Sequence, residues 1–85
     1  MKRHTAQWVR KAEEDIEAAR SLAVQAKPPR DIVCFHCQQA AEKYLKALLQ
    51  EFGVAVPKTH NLNDLLNLLL PHDADLAPLR KALQG

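Results

Sequence analysis

Glycine is nearly absent from this chain, with 2 in 85 residues, and aromatic residues make up only 5%. β-Branched residues are also few, while Ala, Leu, Lys, Glu and Gln abound. Together these exclude a β-rich fold, because strands draw on β-branched and aromatic side chains and helices on the residues found here. A hydrophobic content of 47% excludes disorder. The formal charge of +2 is too small to argue for nucleic-acid or membrane binding by itself. No run approaches the roughly 18 apolar residues of a membrane span, and none stands behind the basic residues of Met1 to Trp8. The expectation is a cytoplasmic protein with no contact to membrane.

What remains is a single small helical domain over residues 1–85, and the pattern supplies four helices. Thr5 is placed to cap the first, with Trp8, Ala12, Ile16, Ala19, Leu22 and Ala23 inward and Lys27-Pro28-Pro29 as its stop. Asp31 is placed to cap a long second helix that runs to Glu51 or Phe52, with Gly53 ending it. An extended link through Pro57 leads to Asn61, which with Asp64 starts a third helix ended by Pro71. Asp73 or Asp75 caps a last short helix, with Pro78 in its first turn and Leu76, Leu79 and Leu83 inward. Short connections make the economical arrangement an antiparallel up-and-down four-helix bundle. Eighty-five residues bury only about 60 to 65% of the extended surface, so self-association or a partner is expected.

The second helix carries the densest information. Tyr44, Leu45, Leu48 and Leu49, preceded by Cys37, Ala40 and Ala41, read as one apolar stripe. His36, Gln39, Glu42, Lys43, Lys46 and Gln50 read as the opposite, polar face. Cys34 and Cys37 form C-x-x-C, but no strand precedes them to make a redox site and no ligand pair stands ready to complete a zinc site. They read as small buried or half-buried thiols, and neither metal nor cofactor is expected.

Trp8-x-x-Lys11-Ala12-Glu13-x-Asp15, then Phe35-His36-x-Gln38-Gln39-Ala40-x-Glu42-Lys43-x-Leu45-Lys46-Ala47, then Pro57-Lys58-Thr59-His60-x-Leu62 resemble, in order and spacing, the HEPN family of small prokaryotic helical domains. The resemblance covers residues 8 to 70 and implies an antiparallel helical bundle, similar to the substrate-binding helical domain of nucleotidyltransferases. Such domains usually continue into a further long helix. Relative to that pattern the last helix here is short or missing, which leaves a groove open, exposes leucines and favours a homodimer.

Many members of that family are metal-independent ribonucleases with Arg and His separated by four to six residues, the His moving a proton and the Arg holding phosphate. Arg30 and His36 have five residues between them, but sit at the start of the second helix rather than in the family's C-terminal position. They are weak catalytic candidates. The row His36, Gln39, Lys43 and Lys46 offers a cation, amide groups and a titratable ring for a nucleotide, an RNA or a partner helix, or else is a solvated face. Lys58, His60 and Asn61 lie where a loop meets a helix start, able to meet an anion or simply to cap the helix. Trp8 reads as core, and Tyr44 as core with its hydroxyl at the polar edge.

The resemblance implies a partner or substrate-binding subunit of a nucleotidyltransferase, in a toxin and antitoxin pair or a two-part nucleotide-transfer system. The enzymatic alternative is a ribonuclease toxin. The third is a structural helical adaptor without ligand.

Overall fold

The first helix starts earlier than its expected cap and ends before its prolines. In the computed structural model, which describes residues 1–83, α1 spans Arg3–Ala23. Lys2 is its N-cap and makes no side-chain cap bond. Thr5, expected to be that cap, lies inside the first turn and is buried, with its side chain turned into the seam with the next helix. α2 spans Arg30–Glu51 with Pro29 as N-cap, so Asp31 is not the cap either. It sits in the first turn, where a carboxylate favours the helix dipole. Proline with its fixed φ and no N–H is suited to the helix boundary, which is why the start falls there.

The end of α2 follows the sequence closely. Gly53 takes φ +75°, a conformation costly to residues with a Cβ. The Val54 N–H then reaches back to Leu49 O at 2.9 Å and the Gly53 N–H to Gln50 O at 3.1 Å. This is the paired closure of a Schellman motif, and Val54 packs on the same core as Leu49. α3 spans Leu62–Leu69, and Asn61 Oδ1 caps it by accepting from the Asp64 N–H at 3.1 Å. A 3-10 turn at Ala74–Leu76 follows, capped by Asp73, and α4 spans Leu79–Leu83. Pro78 precedes this helix instead of lying in its first turn.

The chain is therefore an all-α bundle of four helices, with no strand among the described residues. The α1–α2 hairpin is its main body. Its helices run antiparallel, since Lys2 at the start of α1 meets Glu51 at the end of α2. The buried residues of α1 are Thr5, Ala12 and Ala19, seven apart, and α2 answers with Ala40 and Ala47 at the same interval. Small residues at heptad spacing let two helices approach closely along one straight seam. The large side chains lie elsewhere: Leu45 and Leu49 of α2 pack with Leu65 and Leu69 of α3, flanked by Val54, Val56, Leu62 and Leu76. α3 rests on α2, and α4 with the 3-10 turn rests on α3. Arg80 ties that end together by donating to Asn63 Oδ1 at 3.3 Å and to Asn67 Oδ1.

Several inward expectations need correction. Tyr44 and Leu48 are exposed, at 39% and 36%, although Leu45 and Leu49 beside them are buried. Consecutive helical residues are about 100° apart, so one row of the supposed stripe faces α3 and the other faces away. Cys34 and Cys37 lie on that outer row and are exposed free thiols. Trp8, Ile16 and Leu22 are half-buried and Ala23 is exposed, because α1 has no helix on its far side among the described residues. Leu79 is 39% exposed, and the side chain of Leu83 lies outside the described residues.

Candidate interaction face and the polar seam behind it

The polar face of α2, expected to meet solvent, a partner helix or a ligand, is turned largely toward α1 and the α3 loop. Asp15 on α1 receives two groups from it: His36 Nδ1 donates to Oδ1 at 2.9 Å and Lys43 Nζ donates to Oδ2. Burial opposes ionisation of Asp15, but the hydrogen bonds from Lys43 and His36 outweigh it and hold the carboxyl below its ordinary 3.8. One turn on, Glu42 is 4% exposed and accepts from Lys46 Nζ at 3.1 Å and from His60 Nδ1 at 3.0 Å. Lys46 is itself 5% exposed, with Nζ 5.4 Å from the centre of the Trp8 ring. The ring face adds a favourable contact to a charge already paired.

Among the residues proposed from sequence, His36, Lys43 and Lys46 are thus brought together, but their donors are directed at carboxylates of the same chain. Gln39 is half-buried between them. His60 is outward in its bulk while its Nδ1 is held by Glu42. Asn61 is occupied as the α3 cap, and Lys58 is exposed beside it. Arg30 and His36 do not converge: six residues along a helix are roughly 9 Å of rise and 120° of rotation apart. Arg30 opens α2 at the surface, and His36 faces Asp15.

The accessible feature is on the other side of the hairpin. Between α1 and α2 runs a row of shallow apolar depressions. One of about 420 Å³ is walled chiefly by Val9, Tyr44, Ala47 and Leu48, with Met1 and Glu51 at its mouth. A second of about 300 Å³ lies at Ile16, Val33 and Cys37, and a third of about 330 Å³ at Pro28, Arg30 and Cys34. Two observations bear on how this face is completed. Thr5 Oγ1 is buried at the first depression, where it makes no hydrogen bond of ordinary geometry but lies near enough to the Glu51 carboxylate to favour its ionised form. Glu51, at the same end, accepts from the Lys2 backbone N–H at 3.1 Å, the chief reason its carboxyl is held below the ordinary range.

The Glu42–Lys46 pair follows from the four-residue spacing, but its burial and the bond from His60 were not foreseen, and sequence reasoning missed Asp15 as an organiser and missed this face altogether. The signal for the first was present: a carboxylate on α1 and two cations on α2 inside the recognised motifs. The second was hidden because Tyr44 with Leu48 and Leu45 with Leu49 are adjacent in the sequence and merge into one broad stripe.

Four helices built around one long Ala-seamed hairpin, with a polar seam inside and an apolar face left open, define a small helical module. The chain belongs to the HEPN domain family, whose family model matches residues 5–84. No curated protein and no solved structure gives a match. No helix of the described residues is long and apolar enough to cross a membrane.

Proposed function

We propose that this protein is a binding subunit of the HEPN family whose open α1–α2 face docks a helical partner, either a nucleotidyltransferase or a second copy. It would act as one half of a toxin and antitoxin pair or of a two-part nucleotide-transfer system. One observation carries the docking part: an apolar face running along the hairpin, with Tyr44 and Leu48 exposed toward its Glu51 end. The polar row of α2 supports the same reading from the other direction, since Asp15 and Glu42 already neutralise Lys43 and Lys46. Cations so paired are poorly placed to hold a nucleotide phosphate or an RNA backbone.

The neighbouring gene is expected to encode a minimal nucleotidyltransferase, and mixing the two purified proteins tests the docking reading. Co-elution of the two, lost in Tyr44→Asp with helical circular dichroism retained, is the expected result. A complex unaffected by that substitution would place docking elsewhere. For the ribonuclease alternative, Arg30 and His36 lack a common target. Total RNA incubated with the protein is expected to stay intact, and chelator-resistant cleavage lost in His36→Ala would overturn this view.

A further inference from the structure

We infer that Cys34 and Cys37 bind a single soft, thiol-seeking cation of the copper(I) class, held in line between the two sulfurs. A C-x-x-C pair alone lacks the further ligands that zinc needs, and the structure supplies none. No group of three His, Cys, Asp or Glu side chains able to hold a metal exists among the described residues. His36, between the two cysteines in sequence, has its Nδ1 bound to Asp15. That objection does not reach an ion satisfied by two ligands. Copper(I) is such an ion, and as a soft cation it is selected by thiolates.

Helix geometry decides what two thiols at this spacing can do. Both lie inside α2, past its first turn, and both are exposed and free. Residues three apart share a helix face, with Cβ atoms about 5–6 Å from one another. A direct disulfide needs about 3.5–4.5 Å. An unbroken α2 therefore resists joining the sulfurs to each other, and the pair is kept as a dithiol. An atom placed between them removes the mismatch. Two thiolate–metal bonds of about 2.3 Å in line set the sulfurs about 4.6 Å apart. In a helix the later side chain also leans back toward the earlier one.

The surroundings suit the ion in polarity and charge. Val33 and Ala23 line the depressions beside both cysteines and give the sulfurs an apolar border. Binding releases the two thiol protons to solvent, forms two sulfur–metal bonds and changes no oxidation state. Two thiolates with one monovalent cation keep one net negative charge. Arg30 borders the Cys34 depression and, among the described residues, has no carboxylate within ion-pair distance. Arg20 borders the Cys37 depression while pairing with Glu17 at 3.6 Å. Arg30 is thus the cation free to balance the loaded pair. The site lies at the other end of the hairpin from Tyr44 and Leu48, so it stands or falls apart from the docking reading.

Anaerobic titration of the reduced chain against copper(I) held by bicinchoninate, followed by the indicator's absorbance, tests the site. One ion should be withdrawn per chain. Cys34→Ser and Cys37→Ser should each weaken binding about 100- to 10,000-fold, the gain that a second tethered ligand brings. Moving one thiol tests the spacing itself. Cys34→Ser with Ala41→Cys leaves a pair four residues apart on one face and should bind within about tenfold of wild type. Cys37→Ser with Ala41→Cys leaves the thiols two turns, or roughly 10 Å, apart and should bind no better than a single serine variant. Circular dichroism checks that the helices are intact in each. Failure of the wild-type chain to withdraw copper(I) would overturn the inference. So would serine variants as tight as wild type, one ion shared between two chains, or equal binding by the two relocated pairs.

Discussion

Asp15 shows how one carboxylate can orient a helix pair. It lies on α1, yet both groups that bind it, His36 and Lys43, come from α2. Asp15→Asn should cost about 1–2 kcal/mol, between the values for exposed and buried pairs, measured by urea unfolding near neutral pH. The pH dependence has a fixed sign. A carboxyl whose folded value is depressed stabilises the fold above its ordinary 3.8, and this contribution disappears as pH falls through the lower, folded value. The gap between wild type and Asp15→Asn should therefore narrow below about pH 4. A gap constant down to pH 2 would show that the ionised carboxylate is not what matters.

Glu42 and Lys46 pose the stricter test, since both are nearly fully buried. Glu42→Ala removes one charge and leaves the other stranded, an expected loss of about 3–5 kcal/mol. Replacing both with apolar residues, Glu42→Leu with Lys46→Met, leaves no stranded charge and should fall within about 1 kcal/mol of wild type or exceed it. Chemical denaturation of the single and double variants decides this. Equal losses in both would mean that the pair stabilises beyond its desolvation cost.

Elements in this chain are bounded by chemistry that the sequence displays. The Gly53 closure, the Asn61 cap and the Asp73 cap all stand where residue type places them. Each is decided within one turn by a side chain or a φ angle and needs no distant contact. Gly53→Ala tests this locality. An added Cβ would meet only Lys2 Nζ at 3.7 Å, so space is not the obstacle. The positive φ should still cost about 1 kcal/mol, read from the thermal transition. The starts of α1 and α2 were less legible. Thr5 and Asp31 are good capping residues, but Thr5 is needed in the α1–α2 seam and Pro29 sets the boundary of α2 ahead of Asp31.

At the scale of the whole molecule, stability is unevenly placed. The four large side chains that are fully buried, Leu49, Leu65, Leu66 and Leu69, all belong to α2 and α3, while α1 is held through alanines and ion pairs. Leu69→Ala should cost about 2–5 kcal/mol. For a chain of this length the total is about 4–13 kcal/mol. A fall of at least about 10 °C in Tm, or loss of the transition, is expected from calorimetry. A fall of a degree or two would mean that the α2–α3 core is not what holds the bundle.

The sequence alone determined the all-helical class, the number of helices, the end of α2, both ends of α3 and the family, because these depend on residue type and short spacing. It also held every residue of the polar seam. Which way α2 is rotated was decided only in three dimensions. Its apolar and polar residues are spread so widely round the helix that the pattern allows several inward faces, and Tyr44, Leu45, Leu48 and Leu49 fit more than one. Ala12, Ala19, Ala40 and Ala47 let α1 come close enough for Asp15 to take His36 and Lys43, and α3 covers Leu45 and Leu49. With those two faces committed, Tyr44 and Leu48 are left facing outward. The motif that identifies the family is therefore mostly interior framework, and the surface open to a partner is the apolar row beside it.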